Sequence, residues 1–545
     1  MKKRWLTIAL SLGVAASCCM MPACGESADQ DSATQTTVRI GTYNGGVGMQ
    51  WLKDAAQRFS DLYSGKSFEE GKEGVDLRIY ECNTGSMIEN TTLNRDVYFT
   101  EVVDYVGMQK KGLLADISDV VTGDMSTYDK DGGTIEGKLD QNFKSFLTKN
   151  EGSKYYGLPF YDGIYGFVYD MDLFENQGWY MDDEGDFTRS AKHFGIDGVE
   201  GTYDDGLPRT YAEFASLLNK ISATATPVLY AEESTTYFVN LLANFWADYE
   251  GVENMSKNWT LTGEADIIES FDANGNPVIG KLNITEANYK ELQKQPGKYY
   301  ALSFLKDVLL SNGKYSKSEP SGFKAAQYSF ITSYLDGQKQ DDAYAIITEG
   351  AWFENEAQDS LSFEMAAKKD AEWKMSGRQD HENYKNTRNF AFMPIPKADE
   401  AALAKNNKQT LVSSNDSFCF INAATKGAKL EVAKEFLKFL HSDDELARFT
   451  VKTSITRPLT YTISEEMQKD MSTYGKSLVE MKAASNIVYP YSSSDIYMKY
   501  SSSLTLGAWS WVSSFSGKPN NPFVYMKNNA KVTAKEYFNS LADAH

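Results

Sequence analysis

The sequence predicts a two-lobed α/β protein, and three observations carry that prediction. About 520 residues remain once an N-terminal export signal is set aside, more than one hydrophobic core organises. The chain then opens as strand, glycine loop and helix, the alternation of an α/β domain. Further on, Gly157–Asp170 (GLPFYDGIYGFVYD) reads as an extended stretch that carries the chain from one lobe to the other. With period-two alternation, one face holds Tyr161, Tyr165, Phe167 and Tyr169, and the other Phe160, Asp162, Ile164 and Val168. Gly157, Gly163 and Gly166 let the backbone bend or a group approach closely. Part of this stretch is expected to line a cleft.

The N-terminus begins Met-Lys-Lys-Arg, followed by an apolar run from Trp5 to Ala16. About twelve apolar residues form an export signal but fall short of a spanning helix. A cysteine after a small residue at the cut reads as a lipoprotein signal. Cys24, after Ala23, is the expected lipidated residue, and Cys18, after Ala16-Ser17, is the competing one. The expected organisation is a signal peptide over 1–23 and a flexible tether over 24–37, whose residues beyond Cys24 include nothing apolar larger than Ala.

Formal net charge is −20, and removing Lys2, Lys3 and Arg4 with the signal takes it to −23. Such a balance opposes binding to nucleic acid, whose phosphates require Lys and Arg. Only Cys82 and Cys419 follow Cys24, too few for a disulfide framework, and buried thiols are expected. The four histidines, His193, His381, His441 and His545, are scattered and fit neither a zinc site nor a His-centred triad. No cofactor is expected. Tyrosine, at 33 residues, and tryptophan, at 9, supply rings that stack on a ligand while offering a hydrogen bond.

In chain order, strands are expected over 38–43, 75–81 and 96–99. Helices are expected over 49–63, 87–93 and 102–111. The stripe Leu52, Ala55, Phe59 and Leu62 faces the first helix inward. The loop after the first strand lacks nucleotide-binding glycine spacing. Val432, Phe436, Leu437 and Leu440 stripe a later helix, and Ser442 with Glu445 fits a capping box for the next. Two regions stand apart, 178–208 and 257–295. The first is acidic and glycine-rich and reads as a solvated loop with no metal; the alternative is calcium on Asp197, Glu200, Asp204 and Asp205, against which Val199 breaks the EF-hand pattern. The second holds a hairpin around Asn274-Gly275.

Residues 96–117 (DVYFTEVVDYVGMQKKGLLADI) resemble the third strand and helix of the family 1 extracellular solute-binding proteins of ABC importers, the maltose- and oligosaccharide-binding group. In the same order, 156–174, RTYAEF (209–214), DAYAIITEGAWFENE (342–356), NFAFMPIP (389–396) and 417–449 resemble later segments of that family. The resemblance implies the type II periplasmic-binding-protein fold, two mixed sheets flanked by helices and joined by a hinge. It places one lobe at 38–162 plus 412–460 and the other at 163–411 plus 461–545. It implies no catalysis. The expectation is a monomer anchored by lipid on the outer face of the cytoplasmic membrane, which captures a carbohydrate and hands it to an ABC permease.

Sugars present hydroxyl edges to carboxylates and amides, and C–H faces to flat rings. The expected ligand-binding residues are therefore Tyr43, Asn44, Glu101, Asp104, Tyr161, Asp162, Tyr165, Tyr237, Glu349, Trp352 and Trp509. Of these, Tyr237 and Trp352 resemble the family's stacking aromatics. Thr100 and Val103 stand where maltose-binding members have a Trp and an Asp, so maltose itself is not expected. The competing readings are an anchored carbohydrate hydrolase using two carboxylates, and a binding protein for a peptide or another non-sugar ligand.

Overall fold

The computed structural model describes residues 30–82, 95–101, 104–149, 152–232, 236–333, 343–364, 389–413, 417–500 and 522–542. The expected helix at 87–93, Cys18, Cys24, Trp509 and Trp511 lie outside them. Before the crossing come β1 (Thr36–Thr42), β2 (Val75–Glu81), β3 (Val97–Thr100) and β4 (Leu158–Pro159). After it come β5 (Tyr165–Asp170), β6 (Tyr180–Met181), β7 (Phe187–Thr188), β8 (Thr226–Ala231), β9 (Glu264–Phe271), β10 (Pro277–Asn283), β11 (Ser316–Glu319), β12 (Tyr344–Gly350), β13 (Phe390–Met393) and β14 (Thr410–Val412). β15 (Phe418–Ile421) returns to the first sheet, and β16 (Asn486–Val488) pairs with β14.

Two five-stranded sheets share one plan. The first runs β2-β1-β3-β15-β4, and the second β11-β8-β12-β5-β13. In each, three parallel strands are followed by one that runs the other way. The strands beside that reversed one, β4 and β13, pair with it antiparallel. Mixed α/β architecture in two sheets is what the sequence predicted. β1 and β3 are buried throughout, as parallel strands covered on both faces are.

The helix Gln50–Leu62 buries Leu52, Ala55 and Phe59 as expected, together with Trp51. Leu62 does not join them and is 60% exposed. It sits in the last turn, where Tyr63 folds back to within 4.6 Å of Phe59 and closes the core in its place. Trp51 packs against Phe99, Phe160 and Phe449 at 5.6, 5.5 and 4.9 Å between ring centres. The helix Gly427–Leu440 buries Val432, Phe436, Leu437 and Leu440. Ser442 caps the next helix by accepting the Glu445 N–H, but the capping box is only half formed. The Glu445 carboxylate instead takes both Nε and Nη2 of Arg58, each at 2.6 Å. Cys82 and Cys419 are buried and carry no disulfide, and burial pushes the Cys419 thiol up to about 11. Among the described residues no helix is long and apolar enough to cross a membrane.

The crossing is not one strand. β4 ends at Pro159, residues 160–164 are irregular, and β5 begins at Tyr165. In that gap the Asp162 N–H donates to the Thr456 carbonyl at 2.9 Å. The Asp162 carboxylate accepts from Ser413 Oγ and Thr456 Oγ1, both at 3.0 Å, and from Lys482 Nζ. Three passages of chain between the sheets are thereby knotted at one point. Beside it Arg457, 1% exposed, donates Nε to the Phe160 carbonyl at 2.7 Å and Nη1 to the Leu440 carbonyl at 3.1 Å. Arg457→Ala would leave both carbonyls unpaired and open a void against Phe449. It is expected to lower unfolding free energy by roughly 3 kcal/mol in a urea titration.

Candidate functional site

Three aromatic side chains from separate elements of the second lobe meet where the lobes face each other. Tyr165 begins β5, Tyr237 lies in the first turn of the helix Thr236–Thr260, and Trp352 precedes the helix Phe353–Asp359. Tyr165 and Trp352 meet edge to face at 4.7 Å and 83°, and Tyr165 and Tyr237 at 5.3 Å and 68°. Trp352 Nε1 donates to Tyr237 Oη at 3.1 Å, which fixes the indole plane. Tyr165 is also hydrogen-bonded to the side chain of Asn240.

Beneath these rings lie two carboxylates of the same lobe. Glu349, near the end of β12, is 2% exposed and accepts from the Gly350 N–H at 3.0 Å. Gln327, on the helix Phe323–Thr332, donates Nε2 to Glu349 at 3.0 Å and to Glu356 at 2.9 Å, holding the two together. From the first lobe, the loop after β1 reaches across. The Gly46 N–H is hydrogen-bonded to Glu356. Gly46 has φ +58°, and a Cβ there would stand 3.1 Å from Tyr161 Oη, 3.4 Å from Glu101 Oε1 and 3.8 Å from Trp352 Cβ. Only glycine suits both that backbone and that crowding. Glu101, Tyr161, Trp352 and Glu356 therefore converge on one point between the lobes.

Burial, and then the Glu356 carboxylate opposite, push Glu101 up to about 8 from an ordinary 4.5. Burial likewise raises Glu356 to about 7, and burial with its neighbour Glu356 holds Glu349 well above the ordinary range. A carboxyl raised on folding binds more protons folded than unfolded, so its contribution to stability shrinks as pH rises from 4.5 to its folded value. The thermal midpoint of the ligand-free protein is expected to fall between pH 5 and about 8. Each group adds at most about 1.4 kcal/mol per pH unit in that window. Glu101→Gln should flatten the profile, as scanning fluorimetry from pH 5 to 9 would show.

The remaining expected residues divide. Tyr43 is half-buried and close enough to Glu101 and Glu356 for both to raise its pKa after burial has done so, while Asn44 beside it is exposed. Tyr161 is 2% exposed, with its hydroxyl at Gly46. Asp162, expected at the ligand, is 1% exposed and its oxygens are taken up by the knot described above. Asp104 is the N-cap of the helix Tyr105–Lys110, accepting the Gly107 N–H at 2.9 Å. The four residues of the alternative calcium site do not gather around one point. Asp197 accepts the Val199 N–H, Asp204 the Asp197 N–H and the Thr202 hydroxyl, and Asp205 the Gly201 N–H. Glu200 points outward, exposed, and no group of three metal-ligating side chains forms among the described residues. These carboxylates fold their own loop.

Sequence reasoning missed Gly46, Gln327 and Glu356. Glu356 lies four residues past Trp352, one helical turn on, and that spacing could have found it. Gln327 gave no signal, since its partners lie 22 and 29 residues away.

No protein-family model and no curated protein matches the chain. Solved structures do. The apo form of RafE from Streptococcus pneumoniae superposes with a TM-score of 0.51 over 94% of this chain and 98% of its own, at 13% identity. RafE in complex with raffinose gives 0.52 over 94% and 98%, at 13%. A probable secreted solute-binding lipoprotein from Streptomyces coelicolor gives 0.52 over 94% and 99%, at 12%. The chain has the two-lobed fold of these solute-binding proteins.

Proposed function

We propose that the protein is the extracellular solute-binding lipoprotein of an ABC importer and that it captures an oligosaccharide between its lobes. The observation that carries this reading is the convergence of Tyr165, Tyr237 and Trp352 with carboxylates from both lobes at the interlobe point. Rings for C–H faces and acids for hydroxyls are what a sugar requires, and the raffinose complex of RafE shares the fold. The lobes, 38–162 with 412–460 and 163–411 with 461–545, close on the ligand by hinge motion about the crossings. Lipid on Cys24 holds the protein at the outer face of the cytoplasmic membrane, where the loaded form meets the permease as a monomer. Binding without turnover is the activity.

Calorimetric titration with raffinose-type, malto- and other oligosaccharides, alongside peptides, tests the reading. Saturable binding of an oligosaccharide that is recovered intact supports it. Binding of peptides alone, or cleavage abolished by removing one carboxylate, overturns it. Mass spectrometry of the membrane-extracted protein decides the anchor, since lipid on Cys18 would displace Cys24.

A further inference from the structure

The charge of the cleft says more about its ligand. Glu101, Glu349 and Glu356 gather there from two lobes, and among the described residues none forms an ion pair with a lysine or arginine. Among the described residues the cation acting on Glu356 is Lys324, which is exposed and also faces Asp359. Among the described residues the other titratable groups facing these acids are Tyr43, Tyr161, Tyr165, Tyr237 and Tyr474, with Glu81 beyond Tyr43, and none of them brings positive charge. Gln327 adds a second, independent sign. It is fully buried, its Nε2 lies between Glu349 and Glu356, and its Oε1 has no partner among the described residues. The site thus gathers carboxylates with no paired cation among the described residues, and beneath them an amide oxygen without a partner.

Burying several carboxylates without a cation costs several kcal/mol for each charge, and proteins relieve it by protonation or by an opposite charge. A neutral sugar hydroxyl brings one donor and no charge. An ammonium brings three donors and the charge, and favours the faces of aromatic rings. We propose that the cleft selects an oligosaccharide bearing a protonated amine, an amino sugar, whose ammonium lies between Glu101 and the Glu349–Glu356 pair with its ring against Trp352. This rests on the oligosaccharide reading above.

The test is calorimetry at pH 7 with the full mature protein. Its ligands are glucosamine oligomers of two to four units, the fully N-acetylated oligomers, neutral gluco- and galacto-oligosaccharides, putrescine and a lysine-containing tripeptide. The expected result is that the free amines bind at least tenfold tighter than their N-acetylated counterparts. Repeating the titration in buffers of different ionisation enthalpy should show proton release, and Glu101→Gln and Glu356→Gln should bring the ratio towards one. Equal or tighter binding of N-acetylated or neutral oligomers, or no binding by any amino sugar, overturns the proposal. In the first of those cases the oligosaccharide reading survives. Binding confined to putrescine or the tripeptide overturns both.

Discussion

Trp352→Ala is expected to weaken oligosaccharide binding by roughly 100-fold, about 2.7 kcal/mol, in a calorimetric titration. The indole meets Tyr165 edge to face with ring centres 4.7 Å apart, and its Nε1 donates to the Tyr237 hydroxyl at 3.1 Å. Removing it therefore takes away one ring and unfixes two more. Because Trp352 is 5% exposed, the same change should also cost stability through the void it leaves. Trp352→Phe separates the two effects. It retains a flat ring and most of the packing but loses the N–H, so its affinity should fall by about tenfold or less, with a thermal midpoint close to the parent's. Unchanged affinity in Trp352→Ala would remove this ring from the site.

Asp162→Ala should act in the opposite sense, on stability first. The substitution leaves Lys482 without its counter-charge and frees Ser413 and Thr456, so three passages of chain lose their common tie. Breaking a buried pair from one side costs about 3–5 kcal/mol, which equilibrium unfolding in urea would reveal. Asp162→Asn, which keeps the acceptor for one hydroxyl, should fall between. Full stability in Asp162→Ala combined with lost sugar binding would return this carboxylate to the ligand.

The contrast between these two residues shows what could be read in the sequence. Strand and helix positions were legible wherever apolar spacing is local, as in β2, found over the expected residues, and in the helix Gly427–Leu440 with its buried stripe. The aromatic triad was legible in its members, because Tyr237 and Trp352 sit in segments that resemble a known family. Asp162 was not, since alternation along a strand says which face a side chain takes but not who meets it there. Its partners Ser413 and Lys482 lie 251 and 320 residues away. Leu62 obeyed the helical period yet lies outside the core, because a period cannot tell where the covering sheet ends. Gly46 gave a glycine signal without its reason, which is three side chains crowding its α-carbon while Glu356 accepts its N–H.

The route of β15 has a consequence for how the chain reaches its final form after export. The second sheet draws on residues 165–393 without interruption, so it can assemble once that stretch has emerged. The first sheet cannot. β15 lies between β3 and β4, and its pairing of Cys419 with Phe99 joins residues 320 positions apart. Until residues 418–421 arrive, β3 presents a bare edge, the kind of surface that pairs with the wrong partner. Of the two five-stranded sheets, the one that begins first along the chain is therefore completed second, after a long loop has closed.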